Sequence, residues 1–263
     1  MASKVAGVTA TGCMAGLEVE MMEVVTVTGA AGSIPLIVVF ASDTHMRHAE
    51  LPSVEEVATA ADAVLGPDAP VVVVHGGDAT NSGELDEIAD VVEWLNALGA
   101  VFGPRLRLLA WLPGNHDRTL SGPGIYTVSD DDAAAADAFV TRAFDGELLR
   151  GAGTHCVALD DAGTAQLRVV YASMSPSMLG HTLPSPADIA AAAAEAAAAD
   201  ETEASTTTLW LSHEPPHGTL DCTAHGRAIG SRAIADAIAT LSPHAVLCGH
   251  VHDSRGVSTT PCG

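Results

Sequence analysis

The chain has 263 residues, 48% of them hydrophobic, with 33 acidic against 11 basic residues and a formal charge of −22. That length suits one large α/β domain with a substantial core and leaves little room for a second. The negative field repels polyanions and excludes long nucleic acids as partners, while the lack of an uncharged apolar stretch near the roughly 20 residues of a bilayer span excludes membrane insertion.

The opening of the chain carries Lys4, but Glu18, Glu20 and Glu23 interrupt it where a signal peptide stays uncharged, so secretion is not expected. Cys13, Cys156, Cys222, Cys248 and Cys262 are odd in number and lack CxxC spacing, which favours reduced thiols and a cytoplasmic location. Residues 1–33 show no clear amphipathic period and end in the flexible run Gly29-Ala30-Ala31-Gly32-Ser33, as expected of a loose N-terminal extension. Residues 24–27 are a candidate edge strand within it, and residues 34–263 form the domain.

From Pro35, apolar runs at 36–40, 71–74 and 106–112 alternate with helical segments, the pattern of β-α-β units. Ser53 caps a first helix, with Glu56 completing a capping box, and Gly66 stops it. A second helix over 84–98 places Leu85, Ile88, Val92 and Leu95 on one face, as packing on a sheet requires. The acidic, Ala-rich stretch 130–144 predicts a third helix, and a loop with several glycines follows, up to 165. A strand is expected over 168–172. Residues 187–199 are low in complexity and strongly helix-forming, predicting a surface helix with disorder as the alternative. Short buried strands at 207–211 and 245–248 flank a helix over 231–241, and no solenoid-type repeat is present.

Short polar motifs close the predicted strands in a fixed order: D-x-H with Asp43 and His45, G-D with Asp78, G-N-H-D with Asn115 and His116, His213 alone, then G-H-x-H with His250 and His252. Ligands of open α/β sheets bind beyond the carboxyl ends of strands, so these ends should converge on one cleft. Each motif alone is commonplace; D-x-H is most often a surface turn, and G-N-H-D is compatible with an Asx-type turn. In this order, each after an apolar run, they point to two divalent metal ions. Mixed carboxylate, amide and imidazole ligands suit manganese, iron or zinc. Two such ions roughly 3.5–4 Å apart can hold a bridging hydroxide and clamp phosphoryl oxygens. Asp78 can bridge them, and His116 is placed to protonate a leaving oxygen. Arg47, His48, Asn81 and His217 are candidates for contact with phosphate or base, and equally for supporting or surface roles. His75 reads as a packed, hydrogen-bonded residue, and His155, His181, His225 and His244 have no motif context.

As a set, SDTHMRH, HGGDATNSGE, LPGNHD, SHEPPHGTLD and CGHVHDSRG resemble the calcineurin-like metallophosphoesterase superfamily over about residues 35–256. Within it they look most like the metallophosphoesterase domain-containing branch, which is similar to class III cyclic-nucleotide phosphodiesterases. The resemblance implies a four-layer α/β/β/α fold, two mixed β-sheets flanked by helices. It also implies one metal held by Asp43, His45, Asp78 and His252, another by Asp78, Asn115, His213 and His250, and a catalytic His116. Phosphoprotein phosphatases of this superfamily usually carry G-D-x-x-D-R-G, whereas here the residues are Gly77-Asp78-Ala79-Thr80-Asn81-Ser82-Gly83, which argues against a phosphoprotein substrate. Relatives usually continue through further strands after the last motif, and have a less biased connection where 187–199 lies. The expected function is hydrolysis of small phosphodiesters, cyclic nucleotides foremost; the alternatives are a phosphomonoesterase with the same site and a non-catalytic nucleotide-binding scaffold.

Overall fold

Apolar runs buried on both faces build two mixed sheets, seen in a computed structural model that describes residues 22–29, 33–121, 128–173, 184–200, 205–254 and 256. The first sheet has the order β1 (Met22–Val27), β2 (Leu36–Ala41), β3 (Val71–His75), β4 (Leu106–Trp111), β5 (Glu147–Leu148), parallel except for β1. The second has the order β6 (Ala152–Ala158), β7 (Gln166–Ala172), β8 (Thr206–Ser212), β9 (Ala245–Cys248), parallel except for β6. The helices are α1 (Val54–Leu65), α2 (Leu85–Ala100), α3 (Asp130–Ala143), α4 (Pro186–Asp200) and α5 (Arg232–Leu241).

Strand side chains alternate between faces, and this sorts the core into three layers. Ile37, Val39, Val71, Val73, Leu109 and Trp111 pack outward against α1, α2 and α3. Their neighbours Leu36, Val38, Val72, Val74 and Leu108 face the second sheet, meeting Leu167, Val169, Leu209 and Leu211. On the far side, Val170, Ala172 and Trp210 pack against α4 and α5 through Ile189, Ala193, Ile234 and Ile238. The result is the four-layer α/β/β/α arrangement. Each fully buried aliphatic side chain contributes roughly 1.5–3 kcal/mol, and because β2 and β3 are covered on both sides, their sequences run apolar without alternation.

The helix signals act locally. Ser53 Oγ accepts from Glu56 N at 3.3 Å and Glu56 Oε2 accepts from Ser53 N at 2.9 Å, the full capping box; Gly66, at φ +86°, ends the helix. Ser129 caps α3, whose first turn holds Asp130, Asp131 and Asp132, carboxylates that complement the helix dipole.

Several expectations are corrected. The candidate edge strand at 24–27 is β1, at the edge of the first sheet, with Val24, Val25 and Val27 buried, so this part of the stretch expected to be loose is ordered; residues 1–21 lie outside the described residues. The loop expected after α3 contains β5 and β6. Strand β6 lies at a sheet edge and has no fully buried residue, so neither an apolar run nor clean alternation marked it. Residues 187–199 are helical, and Ile189, Ala192, Ala193 and Ala196 are buried, so α4 contributes to the core through small side chains. Strand β9, expected to be buried, is an edge strand with only Ala245 buried. Leu85, the first residue of the helix, is 45% exposed; the buried face is Ile88, Val91, Val92, Leu95 and Leu98. No described helix is long and apolar enough to cross a membrane.

The two leucines of α2 give a direct check. Leu95→Ala should destabilise the fold by about 2–5 kcal/mol, while Leu85→Ala should stay within about 0.5 kcal/mol of the parent, as read by denaturant titration.

Candidate metal centre

All five motif loops leave the carboxyl ends of β2, β3, β4, β8 and β9, and the two sheets bring these ends together. The D-x-H loop runs beside the G-G-D loop: Asp43 N donates to Gly77 O, His45 N to Asp78 O and Met46 N to Ala79 O, at 2.8–3.0 Å. Asp43 accepts from Ser42 Oγ at 2.6 Å and from His250 N at 3.0 Å through both carboxylate oxygens. Asp78 Oδ1 accepts from His116 N at 2.7 Å.

Imidazoles complete the cluster. His213 Nδ1 donates to Gly76 O at 2.9 Å, which leaves Nε2 toward Asn115 Oδ1 at 3.1 Å, Asp78 Oδ1 at 3.4 Å and His250 Nδ1 at 3.3 Å. A ring N–H tied to a carbonyl while the other nitrogen faces a ligand position is the arrangement by which proteins orient metal-binding histidines. His252 Nε2 lies 3.3 Å from Asp43 Oδ1 and 3.4 Å from His45 Nε2. Every residue expected to ligate is thus joined to the cluster. The ligand atoms of Asp43, His45 and His252 lie within 4.8 Å of one another, as do those of Asp78, His213 and His250. His116 meets the same criterion with His45 and Asp78, so distance alone would also admit it as a ligand. Its Nδ1, however, lies 2.7 Å from the backbone oxygen of Asn81.

The backbone around the cluster is strained. Asp43, His45, Asp78 and His250 have φ of +55°, +44°, +53° and +71°, a region unfavourable for residues with a Cβ. Such conformations persist where surrounding contacts over-determine them, and they gather at functional sites. Gly77 (φ +107°) and Gly114 allow close approach: a Cβ on Gly114 would strike Asp78 Oδ1 and sit 2.8 Å from His213 Cε1.

Electrostatics also favour cations here. Burial opposes charge on Asp43 and Asp78, yet His252, His213 and nearby donors hold Asp43 well below the usual carboxylate range, and His213 above all brings Asp78 to about 2. Burial would lower His213, but the Asp78 and Asp43 carboxylates outweigh it and push it up to about 10. Burial, with the charge of His213, takes His250 down to about 4. The carboxylates therefore draw positive charge into a buried site, while neighbouring imidazoles remain neutral and able to donate lone pairs; His250 Nε2 is buried without a hydrogen-bond partner. This donor set fits divalent ions. His213 and Asp78 are 0% and 3% exposed in their side chains, whereas His252 is 51% exposed, so the centre is deep at one end and open at the other.

Sequence reasoning gave no role to Asp117, although it stands inside G-N-H-D. It is buried and accepts from Gly114 N, Thr80 N and Thr80 Oγ1 at 2.8–2.9 Å, stapling the G-D loop to the G-N-H loop; burial and the charge of Asp78 push it up to about 6. His75, expected to be packed and hydrogen-bonded, is fully buried, and burial takes it down to about 3. Its Nδ1 accepts from Gly77 N at 3.2 Å, so Nε2 carries the proton toward Thr44 Oγ1 at 3.0 Å, linking two ligand loops. Arg47 pairs with Glu50, His48 stacks on Trp94 beside Asp90, and His217 lies 3.4 Å from Asp221. His155 lies on β6, His244 accepts from Thr208 N, His225 is exposed, and His181 lies outside the described residues.

A model of the family described as calcineurin-like phosphoesterase matches residues 36–254. One solved crystal structure aligns over 81% of this chain and 83% of its own at 16% identity and a TM-score of 0.50. Another, the Termus thermophilus sulfate thiohydrolase SoxB in complex with glycerol, aligns over 76% of this chain and 37% of its own at 17% identity and a TM-score of 0.39. No curated protein matches the sequence significantly.

If the cluster holds cations, divalent ions at about 100 times their Kd should raise stability by about 2.7 kcal/mol, and chelator should remove that gain. Gly114→Ala should abolish the gain, because its Cβ displaces Asp78. Differential scanning calorimetry with and without manganese reads both effects.

Proposed function

This chain belongs to the calcineurin-like phosphoesterase family, and from that premise we propose that it hydrolyses small phosphodiesters, cyclic nucleotides foremost. The observation that carries the reading is the pair of ligand groups flanking Asp78, each assembled from both sheets. Asp43, His45, Asp78 and His252 would hold one divalent ion, and Asp78, Asn115, His213 and His250 a second. Such ions, manganese, iron or zinc by the chemistry of the donors, supply Lewis acidity toward phosphoryl oxygens and lower the pKa of the attacking water when bound.

The protein's own groups do the rest. The Asn81 carbonyl accepts a hydrogen bond from Nδ1–H of His116, so in the imidazolium form Nε2–H is the group that gives its proton to the leaving oxygen as the P–O bond breaks, leaving the neutral ring with its proton on Nδ1. The site opens at His252, admitting a small ester from solvent. The charge of −22 works against long polyanions. Asn81 stands where phosphoprotein phosphatases carry aspartate, which supports a small-molecule ester. The exposed free thiols Cys156 and Cys222 favour a reducing, cytoplasmic setting.

Hydrolysis of bis(p-nitrophenyl) phosphate beside p-nitrophenyl phosphate, with manganese and with chelator, tests the reading. Metal-dependent turnover favouring the diester is expected. On a 3′,5′-cyclic nucleotide, His116→Ala should keep its metal and lose about 10²–10⁴-fold in kcat, whereas Asp78→Ala should lose metal and activity together. Faster turnover of the monoester would make the protein a phosphomonoesterase. Full metal content with turnover of neither ester would leave a nucleotide-binding scaffold.

A further inference from the structure

Glu87 lies one turn into α2 and belongs to none of the metal-ligand motifs, yet its Oε2 accepts from Ser82 N at 2.9 Å, Gly83 N at 2.9 Å, Ser82 Oγ at 3.0 Å and Glu84 N at 3.3 Å. An ordinary capping box asks only for the N-cap contact, here Glu84 N. That bond is the longest of the set. The shorter bonds reach upstream, so the carboxylate is centred on the turn ahead of the helix.

That turn begins at Asn81, whose backbone oxygen lies 2.7 Å from His116 Nδ1. It is also fastened from the opposite side. Thr119 Oγ1 donates to Gly83 O at 2.6 Å, and Gly83, at φ +78°, packs so closely that a Cβ there would lie 2.6 Å from Arg118 N. Thr80, from its backbone N and Oγ1, donates to Asp117 beside His116, and its Oγ1 lies 3.2 Å from His116 O. The turn and the segment carrying His116 are therefore one clamped unit. Asn81 contributes a backbone carbonyl to the imidazole, so the carbonyl's direction sets the ring, and that direction follows from the peptides on either side of residue 82.

We infer that Glu87 is a positioning residue for His116: by holding the Ser82 and Gly83 N–H groups it aims the Asn81 carbonyl at Nδ1 and fixes the tautomer whose Nε2 exchanges a proton with the leaving group. This rests on the reading of His116 as the proton donor. The hydrogen bonds of Glu87 Oε2 go to Ser82, Gly83 and Glu84, none of them an expected metal ligand. Its removal should therefore change how the enzyme treats different leaving groups and spare metal content.

The test compares bis(p-nitrophenyl) phosphate, whose leaving group needs little protonation, with diphenyl phosphate, whose phenol needs more. Glu87→Ala should lose about 10–100-fold in kcat on diphenyl phosphate and less than about threefold on the nitrophenyl ester, at unchanged metal content. Glu87→Gln, which retains an acceptor oxygen, should recover most of the loss, and Glu87→Ala added to His116→Ala should cost nothing further. In the metal-free protein, imidazole nitrogen NMR should show His116 protonated at Nδ1 in the parent and shifted toward Nε2 protonation in Glu87→Ala. If the alanine variant does not fold, Glu87→Asp, too short to reach Ser82 N, replaces it. A His116→Ala loss that is equal on both esters defeats the proton-donor reading itself. A leaving-group-dependent loss in His116→Ala, with Glu87 variants that lose equally on both esters or keep the parent tautomer, overturns the role of Glu87 alone.

Discussion

The imidazole of His213 is the joint on which the centre depends. It stands at the end of β8 in the second sheet, donates to the Gly76 carbonyl at the end of β3 in the first, and turns its other nitrogen toward Asp78 and Asn115. One sheet supplies Asp43, His45, Asp78 and Asn115; the other supplies His213, His250 and His252. Without a fixed contact between the strand ends these would be two incomplete half-sites. The apolar layer between the sheets sets their distance, and the His213 hydrogen bond, buried where water does not compete, sets their alignment.

Strain and charge at this joint are linked. Four of the cluster's residues have positive φ, and two carboxylates lie largely buried within reach of a shared imidazole. Each feature alone destabilises the fold. Together they form a rigid pocket of negative charge whose natural complement is a cation, and the hydrogen bonds from Ser42, His250 N and His116 N hold the carboxylates in place. Behind them Asp117, His75 and Glu87 tie neighbouring loops to one another, so the geometry is maintained by groups that do not themselves face the open end of the site.

Much of this was legible in one dimension. Strand positions followed from apolar runs and the start of α1 from Ser53 as a cap, since both signals act over a few residues. The motifs were legible because each sits directly after a strand, where the fold has to expose side chains. Edge strands were harder to read: β6 and β9 have one neighbour each, so their residues need not be apolar, and β6 went unseen. Leu85 matched the helical period of α2 but, as its first residue, is exposed, an end effect that periodicity does not carry.

By itself the sequence determined the order of the metal-binding motifs, the α/β class and the residue types that can share divalent ions, because these depend on local pattern and on side-chain chemistry. Tertiary structure alone decided which strand joins which sheet, that α4 belongs to the core, which loops His75 links, and what Asp117 and Glu87 hold. The reason is separation along the chain. His250 N meets Asp43 across 207 positions and His116 meets Asn81 across 35, and bonds of that range leave no periodic trace in the sequence that makes them.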